Sequence, residues 1–143
     1  MTGGASGINQ SAANSKFVRP VDGKIISNFG PRNTTVGSKY HKGIDIKVPI
    51  GTPVKTIVGG KVYKAGASQG YGVAVFVDHG IINGKRVTSE YGHLSKCDVK
   101  VGDIVKPGQV VAKSGNSGRS EGPHLHLTIR EDGKAVDPRK YLE

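Results

Sequence analysis

Two stretches carry the side chains that could do chemistry: Gly122-Pro123-His124-Leu125-His126-Leu127 and, far upstream, His41-Lys42-Gly43-Ile44-Asp45. From His124 to Ile129 polar and apolar residues alternate, so a strand there sends Leu125, Leu127 and Ile129 into a core and turns both histidines to the other face. Residues two apart on a strand lie roughly 6.6 Å from each other, close enough for one imidazole to hold a metal while its neighbour works on the metal's water. Gly43 to Val48 alternates in the same way, with Ile44, Ile46 and Val48 inward and Asp45 on the opposite face. On one straight strand His41 would sit roughly 13 Å from Asp45, so His41 is expected on a bend relieved by Gly43. His41, Asp45 and one histidine of the pair then form a set of two imidazoles and one carboxylate. That is the ligand count of a catalytic zinc site, with a fourth position for water, and also that of a non-haem iron triad.

Two further histidines need placing. In Tyr91-Gly92-His93-Leu94 the alternation puts His93 on the face of Tyr91 with Leu94 in the core, making His93 a third candidate for the polar site. His79, in Val77-Asp78-His79-Gly80, falls at a strand-to-turn junction and reads as structural.

The elements that must position these groups are short and glycine-punctuated. After residues 1–16, a Gly, Ser, Ala, Asn and Gln stretch that reads as a flexible tail or linker, residues 17–143 form one domain. Strand-like stretches are Gly23 to Ser27, Val54 to Val58, Lys61 to Tyr63, Gly72 to Val77 and Arg86 to Tyr91. Asn83-Gly84 marks a hairpin turn, and Val101 to Ala112 reads as a tight turn between two buried strands. With 22 glycines and no long helical periodicity, the fold class is all-β, a sandwich of antiparallel sheets with a groove over one sheet. Helix is confined to short pieces such as Pro138 to Leu142. The echo of lipoyl-type carrier hairpins in Val101 to Ala112 lacks a modifiable lysine in its signature and is shared construction only. Gly115 to Pro123 lacks the Gly-Lys-Ser/Thr ending of a phosphate-cradling loop; it leads the chain into the site, with Arg119 and Ser120 as candidate substrate contacts.

The net charge of +10 points to an anionic partner, such as a cell-wall polymer, a membrane surface or nucleic acid. There is no Arg-rich tract or aromatic RNA-binding signature, and no apolar run of membrane-spanning length, so neither nucleic acid nor a membrane span is expected. Cys97, the one cysteine, has Lys96 and Asp98 as opposing neighbours and reads as passive. No apolar leader opens the chain, so delivery inside a larger particle such as a phage, release by lysis or truncation is expected in place of ordinary secretion.

Taken in order, the motifs resemble the lysostaphin/LytM-like zinc endopeptidases of peptidoglycan, a duplicated hybrid motif fold. They run from Asn28-Phe29-Gly30-Pro31-Arg32 through His41-Lys42-Gly43-Ile44-Asp45, Gly51-Thr52-Pro53-Val54, Gly70-Tyr71-Gly72, Val77-Asp78-His79-Gly80, Tyr91-Gly92-His93-Leu94 and Val101-Gly102-Asp103 to Gly122-Pro123-His124-Leu125-His126. The resemblance implies one zinc ion per chain held by His41, Asp45 and His126, with His93 and His124 catalytic. It implies hydrolysis of stem peptides or cross-bridges, with peptidoglycan and possibly other anionic wall polymers as partners. The rival within the same fold is a catalytically silent wall-binding or hydrolase-activating protein. Tyr71, Tyr91 and Arg32 read as packing or groove-lining residues, with substrate contact as the lesser alternative. Leu127-Thr128 departs from the family's aromatic followed by Glu, and Ile81 to Ser89 is elongated. Both departures are expected to affect groove shape without touching the five site residues.

Overall fold

The computed structural model describes residues 17–31, 40–118 and 122–142. The expected tail at 1–16 lies outside the described residues. The strands are β1 (Lys24–Ser27), β2 (Gly30–Pro31), β3 (Tyr40–His41), β4 (Ile44–Lys47), β5 (Pro53–Lys55) and β6 (Gly60–Ser68). They continue as β7 (Gly72–Ile82), β8 (Lys85–Cys97), β9 (Ile104–Val105), β10 (Val110–Ser114), β11 (Leu125–Glu131) and β12 (Lys134–Val136). A short 3₁₀ turn over Pro138–Tyr141, capped by the Asp137 side chain, is the only helical piece among the described residues.

Every pairing is antiparallel, in agreement with the all-β reading. Ten strands are hydrogen-bonded into one sheet with the path β1-β4-β11-β8-β7-β6-β9, while β2 and β3 form a separate pair. The sheet branches at β8, whose C-terminal part pairs with β10, and β10 in turn pairs with β5. One apolar cluster draws on both branches, with Val54 and Val111 on one side and Ile44, Ile46, Leu125, Leu127 and Ile129 on the other. The sheet therefore curls around a single core.

The longest ladder, β7 with β8, closes at Asn83 and Gly84, whose φ values of 51° and 82° are those of a type I′ turn. This turn supplies the twist that two long strands require. Val54 to Val58 is a strand only as far as Lys55. Beyond it the Thr56 amide bonds Gln109 and the Thr56 hydroxyl bonds the Val58 carbonyl, so these residues are buried in a loop. The tight turn at Lys106 to Gln109 is present, but it joins a buried strand, β10, to a short edge strand whose Ile104 is exposed.

His79 is structural, as read. It is wholly buried, its Nδ1–H donates to the Gly59 carbonyl at 2.9 Å, and its Nε2 lies 2.7 Å from Ser89 Oγ. Burial pushes this imidazole down to about 4. An unfolded chain takes up a proton near the ordinary value of 6.5 while the folded one resists it, so the stability His79 confers is present above 6.5 and lost as pH falls toward 4. Urea denaturation across this window is expected to show a decline that is shallower by about 3 kcal/mol in His79→Gln. Equal slopes for the two proteins would remove His79 from this role.

Candidate metal centre

Asp45 on β4 is the direct cross-strand partner of His126 on β11, and His126 is in turn opposite Gly92 on β8. Cross-strand partners project to the same face, so Asp45 and His126 meet on the side away from Leu125 and Leu127. His41 reaches them from β3, and the bend expected at His41 falls just after it, at Lys42 and Gly43. Gly43 has a different reason from the one anticipated. Its φ is not left-handed; an added Cβ would lie 2.2 Å from the Leu127 carbonyl oxygen, so glycine is required for close approach to β11.

His93 enters the site through a bulge. Val75 pairs with Tyr91 and Val73 with Leu94, so β8 carries one residue more than β7 over this span. His93 takes up the excess in the left-handed region at φ 60°. Alternation is thereby broken: Tyr91 and Leu94 both lie in the core, and His93 faces the site. Tyr91 is thus a packing residue, one of the readings given above, and its placement on the polar face as a groove or substrate residue is corrected. Its hydroxyl accepts the Ile57 amide hydrogen at 3.0 Å and lies 2.7 Å from Ser89 Oγ. Tyr71 does belong to the site face. Its ring packs over Gly92, where a Cβ would meet it at 3.3 Å, and lies 5.1 Å from the His126 ring. Arg32, Arg119 and Ser120 lie outside the described residues.

Each of the four site histidines is buried, and each commits one ring nitrogen to a partner that fixes its orientation. His41 Nδ1–H donates to the Asn28 carbonyl (3.0 Å), His93 Nδ1–H to the Ser117 carbonyl (2.6 Å) and His124 Nδ1–H to the Gly122 carbonyl (2.8 Å). In a neutral ring the lone pair is then on Nε2. His126 is turned the other way, with Nδ1 toward Asp45 and Nε2 2.7 Å from Thr128 Oγ1. The Leu127-Thr128 departure therefore touches a site residue directly, contrary to expectation.

Three donor atoms converge. His126 Nδ1 is 2.9 Å from Asp45 Oδ1, His41 Nε2 is 3.3 Å from His126 Nδ1, and His41 Nε2 is 3.5 Å from Asp45 Oδ1. Ligands about 2.0–2.1 Å from a tetrahedral zinc ion are roughly 3.3 Å apart, so this triangle has the size of one face of such a coordination shell. Two nitrogens and a carboxylate oxygen crowded together at partly desolvated positions are mutually repulsive unless a cation or proton lies among them. His41, Asp45 and His126 thus fit a metal. They are the group of this kind among the described residues.

His124 stands beside the triangle, its Nε2 3.5 Å from Asp45 Oδ1, and its ring is 4.8 Å from that of His93. For Asp45, burial opposes ionisation, but the neighbouring His126 and His41 rings outweigh it and hold the carboxyl well below its usual range. Burial pushes the His93 imidazole below its ordinary value, favouring the neutral form. Burial raises the Cys97 thiol, which agrees with its reading as passive.

Glu90 was not singled out by sequence reading. It is buried directly opposite Thr128, accepting from Arg130 Nε at 2.7 Å and from the Tyr71 hydroxyl at 2.8 Å. Its signal was the polar face of β11, His126-x-Thr128-x-Arg130, which needs polar partners on the adjacent strand.

Comparison with known proteins places residues 39–138 against the family model described as peptidase family M23. The chain is 40% identical over 126 residues to the peptidoglycan DD-endopeptidase ShyA of Vibrio cholerae, covering 85% of this chain and 28% of that protein. It is 38% identical over 123 residues to the murein hydrolase activator EnvC of Escherichia coli, covering 86% and 28%. The chain thus spans less than a third of these curated relatives. The catalytic domain of the antimicrobial peptidase lysostaphin from Staphylococcus simulans superimposes with a TM-score of 0.74 at 38% identity, covering 83% of this chain and 91% of that domain. A zinc-containing peptidase from Vibrio cholerae does so with a TM-score of 0.76 at 34% identity, covering 85% and 39%.

The close approach at Gly43 makes a strict prediction. Gly43→Ala is expected to destabilise the fold by about 1–3 kcal/mol through the clash with β11, measured by urea denaturation without added metal. Unchanged stability would show that β4 and β11 can separate without cost.

Proposed function

The chain belongs to peptidase family M23, and from that premise we propose that it is a zinc-dependent endopeptidase that hydrolyses peptide bonds in the stem peptides or cross-bridges of peptidoglycan. The observation that carries this reading is the convergence of His41 Nε2, Asp45 Oδ1 and His126 Nδ1 with the His93 and His124 rings beside them. His41, Asp45 and His126 would hold the ion. Zinc bound there supplies Lewis-acid polarisation of a peptide carbonyl and lowers the pKa of a water from 15.7 to about 7.

The remaining work falls to His93 and His124. His93, neutral and aimed by the Ser117 carbonyl, presents its Nε2 lone pair as acceptor for the proton of the attacking water. His124, aimed by the Gly122 carbonyl, stands within reach of the same centre and stabilises the developing oxyanion when its Nε2 is protonated. The two rings lie 4.8 Å apart, centre to centre, and the one that took the proton from water would return it to the leaving amine. The net charge of +10 suits an anionic wall, and the site of action would be the bacterial cell wall or periplasm.

The similarity to EnvC favours a second reading, a non-catalytic activator of another hydrolase. The five assembled site residues weigh against it, because an activator needs no converging ligand set. An iron oxygenase would use the triad but explains neither His93 nor His124.

Wall fragments released by the zinc-loaded protein, analysed by mass spectrometry, are expected to carry new peptide amino termini, with release abolished by a chelator and restored by zinc. His93→Ala and His124→Ala are each expected to lose about 10²–10⁴-fold in turnover while still binding one zinc per chain. New sugar reducing ends would refute the peptidase, and stimulation of a second hydrolase without release would establish the activator.

A further inference from the structure

Three of the four site histidines have their tautomer set by backbone carbonyls; only His126 has it set by a side chain. The side chains behind that contact form a directed chain. Glu90, buried and paired with Arg130, can only accept, so the single Tyr71 hydroxyl hydrogen goes to Glu90 Oε1 at 2.8 Å. The Tyr71 oxygen must then accept across its 3.3 Å contact with Thr128 Oγ1, which uses the single threonine hydroxyl hydrogen. Thr128 Oγ1 is left able only to accept at its 2.7 Å contact with His126 Nε2. The ring must donate there.

We propose that Thr128, backed by Tyr71 and Glu90, is a positioning residue that holds His126 as the Nε2–H tautomer, so that Nδ1 presents a lone pair to the metal. Without this chain the Nδ1–H tautomer gains, because Asp45 Oδ1 stands 2.9 Å from Nδ1 and accepts its hydrogen. That form must be undone before a metal can bind. Glu90, the position opposite Thr128 on β8, supplies the charge that gives the chain its direction, two hydroxyls beyond the ring. Thr128 is wholly buried, so water cannot replace the missing hydroxyl group in a variant without its own cost.

The inference rests on the zinc reading above, and its test separates the two. Two quantities are read on the full chain: the zinc dissociation constant, by competition with a chelating dye, and the His126 tautomer, by nitrogen-15 chemical shifts of the zinc-free protein at mildly alkaline pH. In the zinc-free wild type the Nε2–H form, held by Thr128, competes with the Nδ1–H form, held by Asp45 Oδ1, and is expected to be populated. Thr128→Val is expected to shift His126 toward Nδ1–H and to weaken zinc binding about 10–100-fold, with Thr128→Ser restoring both. Tyr71→Phe, which frees the threonine hydrogen to turn toward the ring, is expected to move the tautomer in the same direction. A wild-type His126 wholly in the Nδ1–H form, or a Thr128→Val protein with wild-type affinity and tautomer, overturns the proposal. If the wild type bound no zinc, the metal reading would fall while the tautomer measurement still judged the chain of hydroxyls.

Discussion

The structure depends on the register of β11 between β4 and β8. With Asp45 opposite His126 and His126 opposite Gly92, a carboxylate and an imidazole share a row with a residue that has no side chain to obstruct them. A slip of one residue would turn the apolar row Leu125, Leu127 and Ile129 outward and bury the ligands in the core, so the burial that folds the sheet also holds the site in place. Gly43 tightens the same joint by letting the chain pass against the Leu127 carbonyl. Core and site are the two faces of one alternation.

The second half of the site comes from breaking that alternation. An uninterrupted β8 would carry His93 on the face of Tyr91, which is the core face. The extra residue between the pairs Val75–Tyr91 and Val73–Leu94 lets Tyr91 and Leu94 both stay buried while His93 turns out beside His124. Ser117 secures the arrangement. Its hydroxyl donates to the Leu94 carbonyl at 2.6 Å and accepts the Val73 amide hydrogen at 3.0 Å, while its own carbonyl receives His93 Nδ1–H. The loop before the histidine strand is thus tied to the bulge that aims the other catalytic candidate.

What was legible in the sequence follows this division. Alternation in Gly43 to Val48 and His124 to Ile129, together with the Asn83-Gly84 turn, sufficed for the all-β class and for the faces of Asp45, His124 and His126, because these are local periodicities. The bulge was not legible: Tyr91-Gly92-His93-Leu94 reads as plain alternation, and only pairing with β7 and β10 reveals the additional residue. Tyr91 was misplaced for that reason. Glu90 and the contact of Thr128 with His126 were missed because they depend on which strand lies beside β11, a fact of topology with no signal in either strand alone. The loop position of Thr56 to Val58 was missed because apolar, β-branched residues buried in a loop have the composition of a strand.

The way the rings are held has a consequence for how the site can change. A backbone carbonyl survives substitution of its own residue, so the orientations of His41, His93 and His124 are protected as long as the chain path through Asn28, Ser117 and Gly122 is kept. His126 has no such protection, since its outer nitrogen meets a side chain. A hydroxyl alone can either donate or accept and so selects no tautomer; it does so only when a group that exclusively accepts lies further along the chain. Glu90 is that group, and Arg130 pairs with it in a buried position. A hydroxyl at 128 can serve here because a carboxylate stands opposite it at 90, and a change at either position alters what the other must supply.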